Sequence, residues 1–294
     1  MKFQKIIFPV AIGAVLTFTM CDYVTNPHDI GDIVITADTN MRVAIIEEWT
    51  GHTCIACPAA AADIDTLEGI YGDNFIAISI HDDYFAEPCP PHPTPNCATG
   101  HPLAFAEDFR CATGASYTAA HPSGPASPPQ GMVNRKYMPS NNEVLTRGQW
   151  PAIVDSIVHD SAYSTVHLTH NYNTSTRQLS LSVWGSWLKA PYTGTVNVAI
   201  MITESGMVAW QTNGTACDSA FTFKHVLRDC INTPGSITGD QVFTGTSVVG
   251  TTWSYTLPAA YTVSSSWNDA NCHLIAIFYD TVTGEVLNAC EEEL

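Results

Sequence analysis

Positive charge is scarce in this chain. Eleven Lys and Arg stand against 28 Asp and Glu, a formal net charge of −17. Nucleic acid and anionic lipid both reward clustered cations, so neither is a partner that this composition supports. Charge of either sign is thin at 13%, against 45% hydrophobic residues, which sets aside extended disorder and leaves ample material for packed cores. Past the leader there is no apolar run of the ~18 residues that a membrane-spanning helix needs, and no internal repeat is visible. A second Cys-x-x-Cys and paired histidines at ligand spacing are also missing, so a structural zinc site has no support. His81, Asp82, Asp83, His92, His101 and His121 are read as solvated loop residues rather than metal ligands. No cofactor is called for.

What the chain has begins with MKFQKIIFPVAIGAVLTFTMC. Lys2 and Lys5 precede an apolar stretch too short for a convincing membrane span, the pattern of a secretory signal. A cysteine directly after such a stretch is where bacterial lipoproteins are cleaved and acylated, which makes Cys21 the candidate lipidation site. Residues 1–20 are then a signal peptide and residues 21–40 a polar spacer. Ten cysteines in an exported chain imply an oxidising compartment. With Cys21 set aside an odd number remains, so at least one thiol stays free or pairs elsewhere. Proximity suggests Cys89 with Cys97 across the proline-rich CPPHPTPNC loop, Cys217 with Cys230, and Cys272 with Cys290.

The length fits two domains. MRVAIIEEW reads as a buried strand, CPAAAADIDTLEGIYG as a helix and NFIAISIH as a second strand, together a βαβ unit. Composition turns to Pro, His, Gly and Cys over about residues 82–127, an insertion with a helix expected near Pro102 to Phe109. PPQGMVNRKYM resumes the strand pattern, and Trp150, Ile153, Val154, Ile157 and Val158 share one helical face. From about Tyr163 the period becomes alternating, which predicts an antiparallel β-sandwich over 163–294 after an α/β domain over 41–162. Trp184, Trp187, Trp210, Trp253 and Trp267 are expected in the sandwich core.

The stretch EEWTGHTCIACPAAA carries the chemistry. In a thioredoxin-like arrangement Cys54 sits at the N-terminus of the helix after a central strand, where free backbone N–H groups and the helix dipole favour a thiolate. Cys57 follows one turn later, and Pro58 is tolerated in the first turn. In the redox reading Cys54 attacks, Cys57 resolves, Glu48 assists proton transfer and His52 adds positive charge. Pro129, ahead of a strand, is expected to face the dithiol as the thioredoxin cis-proline does. Against this, Glu47 and Glu48 place negative charge near a would-be thiolate. A lone Cys-x-x-Cys in an exported, cysteine-rich chain also serves as a structural bridge, so both readings stay open.

Several separated motifs resemble the Bacteroidetes outer-membrane-protein-28 family: EEWTGHTCIACPAAA, the ISIH strand ending at His81, PPQGMVNR to Arg135, ITESGMVAWQ, KHVLRD and CHLIAIFYDTVTGEVLNA. The resemblance implies an exported, usually lipid-anchored protein with a thioredoxin-like N-terminal part and a β-sandwich after it. It implies attachment to the outer membrane through the anchor and a protein or glycan ligand, in a surface binding or adhesion role. The alternative is a thiol-disulfide oxidoreductase using Cys54 and Cys57.

Overall fold

The computed structural model describes residues 40–121, 127–136 and 144–294. Cys21 and the expected signal and spacer lie outside the described residues. β1 (Ala44–Thr50) is buried along nearly all its length, on both faces, with Glu47 and Glu48 among its apolar residues. α1 (Cys57–Tyr71) starts with Pro58 in its first turn and buries Ala60, Ile64, Leu67 and Tyr71, one stripe at helical spacing. β2 (Phe75–His81) lies parallel to β1, Ala44 opposite Phe75 and Thr50 opposite His81, which closes the βαβ unit.

The insertion differs from its expectation. Residues 102–109 form turns, and the helix comes later, as α2 (Ala112–Ala120). Ala104, Phe105 and Phe109 are buried at a spacing that imitates a helix face, but Phe105 takes a left-handed backbone (φ 61°) that no helix contains. α2 carries little apolar signal, and the Cys111 sulfur caps it by accepting from the Gly114 N–H. Gly114 lets α2 approach β2 closely, since a Cβ there would sit 3.3 Å from the His81 carbonyl.

β3 (Gln130–Val133) runs antiparallel to β1, β4 (Leu145–Thr146) pairs with β3, and α3 (Trp150–Val158) buries Trp150, Val154, Ile157 and Val158. The remaining strands are β5 (His167–Asn173), β6 (Gln178–Ser186), β7 (Thr193–Glu204), β8 (Met207–Asn213), β9 (Ala216–Phe223), β10 (Val226–Cys230), β11 (Asp240–Thr246), β12 (Thr252–Thr256), β13 (Tyr261–Thr262), β14 (Cys272–Asp280) and β15 (Val286–Glu293). One nine-stranded sheet has the order β15-β14-β7-β10-β2-β1-β3-β4, with β11 also on β7. Strands from both sides of Tyr163 therefore share it, joined where β10 lies between β7 and β2.

A four-stranded sheet, β5, β6, β12 and β13, packs on the β7–β14 part through Leu179, Leu181, Val183, Val198, Ile200 and Phe278. The architecture is thus a thioredoxin-like α/β layer continued into an antiparallel β-sandwich. Trp187 and Trp253 are in the sandwich core, and Trp267 packs at its margin. Trp184 is not: alternation along β6 points Leu181 and Val183 inward and Trp184 out, where it is 43% exposed and stacks on His167. Trp210 instead joins Phe105 and His101 at the insertion.

Candidate functional site

The loop leaving β1 turns sharply at Gly51, whose backbone lies so close to Phe85 that a Cβ would come within 2.4 Å of that carbonyl carbon. Thr53 donates to the Phe85 carbonyl through both its N–H (3.1 Å) and its hydroxyl (3.0 Å). The turn delivers Cys54 just ahead of α1 and Cys57 as the first residue of that helix. The two form a disulfide with Cα atoms 5.5 Å apart. The Pro128–Pro129 peptide is cis, and the Cys54 sulfur lies 3.5 Å from the Pro128 carbonyl oxygen. Cys54, Cys57 and Pro129 are therefore brought to one place by β1, α1 and β3.

Both cysteines are buried, Cys54 to 2% and Cys57 to 3% exposure. The β8–β9 hairpin covers the Cys54 side. Gln211 donates from Nε2 to the Cys54 carbonyl (2.9 Å), the Thr212 N–H to the His52 carbonyl (2.8 Å), and the Gly214 N–H to the Ile55 carbonyl (3.2 Å). A second disulfide, Cys97–Cys217, ties the insertion to β9.

The three pairings expected from proximity are therefore not formed: Cys97 and Cys217 bond to each other, and Cys89, Cys230, Cys272 and Cys290 are free. Register explains the last pair. Cys290 stands opposite Ala276, four residues along β14 from Cys272, or about 13 Å. Burial pushes the Cys272 and Cys290 thiols up to about 12, so they are inert as nucleophiles.

The charges beside the dithiol also differ from their expectation. His52 brings no positive charge: it is fully buried against Phe105 and Phe109, donates from Nε2 to the Glu87 carbonyl (2.8 Å), and burial lowers its pKa. Glu47 points to the opposite face of the sheet, where Arg135 holds both its oxygens (2.7 and 2.5 Å) and the Tyr117 hydroxyl donates to it (2.5 Å). Glu48 faces the dithiol side and lines a cavity with Cys57. Burial, with Asp63 adding to it, raises its carboxyl to about 8, so at neutral pH Glu48 is mostly an uncharged acid. His81, at the end of β2, lines the same cavity, and burial drops its imidazole to about 3.

The other histidines read as loop residues go to separate places: His92 against Tyr84, His101 against Trp210, His121 against Trp49. Among the described residues no group of three or more His, Cys, Asp or Glu is placed to hold a metal ion. The residues that sequence reasoning missed are those of the cover. Gln211 is a buried polar residue in an apolar strand, which is a faint signal. Cys97–Cys217 spans 120 residues and left none.

A model of the family described as outer membrane protein Omp28 matches residues 120–293, more than half of the chain. The chain belongs to the Omp28 family. Among solved structures, HBP35 of Porphyromonas gingivalis superposes with a TM-score of 0.61 at 13% identity, covering 87% of this chain and 76% of that one. The likeness supports the fold. A domain of the outer membrane lipoprotein Omp28 from Porphyromonas gingivalis is 19% identical, over 45% of this chain and 88% of that one, with a TM-score of 0.29. No curated protein sequence matches the chain. This Omp28 protein is thus an outer-membrane or surface protein of that family. Among its described residues no helix is long and apolar enough to cross a membrane.

Proposed function

We propose that this Omp28 protein is an exported lipoprotein, anchored through Cys21, that binds a protein or glycan at the cell surface and does not exchange disulfides with polypeptides. The closure over Cys54 carries this reading. A polypeptide substrate must reach the first sulfur of the dithiol, and here that sulfur is packed on Pro128 while Gln211, Thr212 and Gly214 hold the surrounding loop. Cys21, directly after an apolar leader, supports the anchor.

Two measurements test the two halves. Cys21→Ala is expected to move the protein from the membrane fraction to the soluble one; unchanged fractionation overturns the anchor. The native protein is expected to give no acceleration of insulin reduction over background thiol, and a rate approaching that of a dedicated oxidoreductase overturns the binding role.

A second reading, thiol-disulfide exchange at Cys54 and Cys57, is favoured by the meeting of Pro129, Cys54 and the buried Glu48 in one site. In it Cys54 attacks, Cys57 resolves, Glu48 moves the proton and Pro129 positions the substrate. A reduction potential near −120 to −270 mV supports it, whereas one below about −300 mV marks a structural bridge.

A further inference from the structure

The two sulfurs of the Cys54–Cys57 bridge meet unlike surroundings. Cys54 is packed on the Pro128 carbonyl under the hairpin. Cys57 instead lines a cavity of about 280 Å³. Buried Glu48 and His81 form its floor, Ile64 and Phe223 its walls, and the exposed Asp65 and Lys224 its mouth.

The floor is furnished for a guest. Glu48 Oε1 and both ring nitrogens of His81 are buried without a hydrogen-bond partner, a state that a protein interior disfavours. A guest in the cavity meets the side chains of Glu48 and His81 at its floor. The volume is roughly twice the ~150 Å³ that accommodates one benzene. That suits a small molecule.

We propose that this cavity admits a small polar thiol, of about the size of cysteamine, which opens the bridge by attacking Cys57 rather than Cys54. The proposal rests on exchange at this dithiol, assigns its substrate class, and reverses the roles given above: Cys57, not Cys54, carries the mixed disulfide. The thiol loses its proton to water. Its thiolate sulfur then bonds to Cys57 Sγ while the Cys54–Cys57 bond breaks, and the electron pair leaves on Cys54, which takes a proton from water. A second thiolate attacks the small-molecule sulfur of the mixed disulfide and releases Cys57. Two thiols are oxidised to one disulfide, and the bridge is reduced to two cysteines.

The test uses the full chain. Cys54→Ser and Cys57→Ser each leave one cysteine of the pair, and each variant is exposed to cystamine, with peptide mapping to separate this site from the five free thiols among the other described residues. Cys57 is expected to take up cysteamine at least tenfold faster than Cys54; an equal or reversed order overturns the proposal. Should either variant fail to fold, a brief cysteamine pulse on the native protein, quenched in acid, reads the same order from which cysteine carries the mixed disulfide. Ala61→Met narrows the cavity from α1 and is expected to slow cysteamine reduction of the native bridge about tenfold, and an unchanged rate also overturns it. If cysteamine fails to open the native bridge while Cys57 still reacts first in the variants, the exchange reading itself falls, and the cavity stands only as a route to Cys57.

Discussion

Glu47 and Glu48 leave the same strand from opposite faces, and their surroundings differ in kind. Glu47 is locked by Arg135 and Tyr117 into a closed network, the arrangement that lets a charge stay buried. Glu48 has a buried oxygen with no partner and an empty space beside it. The fold answers the cost of its charge by keeping the proton on. Two adjacent acids thus serve different ends, one holding the sheet to the insertion and the other leaving a reactive group at a cavity floor. The formal charge of −17 counts both alike.

The sharpest way to break that contrast is Arg135→Met, which leaves Glu47 buried without its cation. A loss of about 3–5 kcal/mol in urea unfolding is expected, and a cost under about 1 kcal/mol would show that the network is not structural. Next in size is the double change Cys97→Ser with Cys217→Ser. Freeing a loop of this length is expected to lower stability by about 2–4 kcal/mol and to speed hydrogen exchange of the β8–β9 hairpin, with the Glu47 side unaffected.

An effect specific to Glu48 is a slope with pH. Its carboxyl ionises at about 8 in the fold and at about 4.5 in the open chain. Stability present below pH 4.5 is therefore lost as the pH rises towards 8, by up to about 1.4 kcal/mol per unit. Glu48→Gln should flatten that slope in unfolding measured from pH 5 to 8. His81 runs the other way: its imidazole titrates at about 3 against 6.5 unfolded, so stability present above pH 6.5 is lost as the pH falls. The smallest effect is expected at the cavity mouth. Lys224→Met breaks a 2.8 Å pair with Asp65 in which both side chains are about half exposed, so its cost in thermal unfolding should stay within about 0.5 kcal/mol.

The scaffold was legible because it is written in short-range pattern. The apolar run of β1, the Cys-x-x-Cys and Pro58 at a helix start, the stripe on α3 and the alternation after Tyr163 each lie within a dozen residues. The cover over the dithiol was not, because it is made by partners far apart in the chain: Gln211 on Cys54, Cys217 on Cys97. The helix expected over 102–109 failed because separate buried anchors can share helical spacing without helical backbone. His52 lost its expected charge to burial, a tertiary property that composition does not carry.

The Cys97–Cys217 bond joins a point before the change of period to a point after it, and so closes part of the backbone into a covalent ring. A protein at a bacterial surface is exposed to proteases, and a single nick anywhere inside that ring would open the main chain without releasing a fragment. Damage there would pass unseen on a gel run without reductant, and the two pieces would still travel as one molecule.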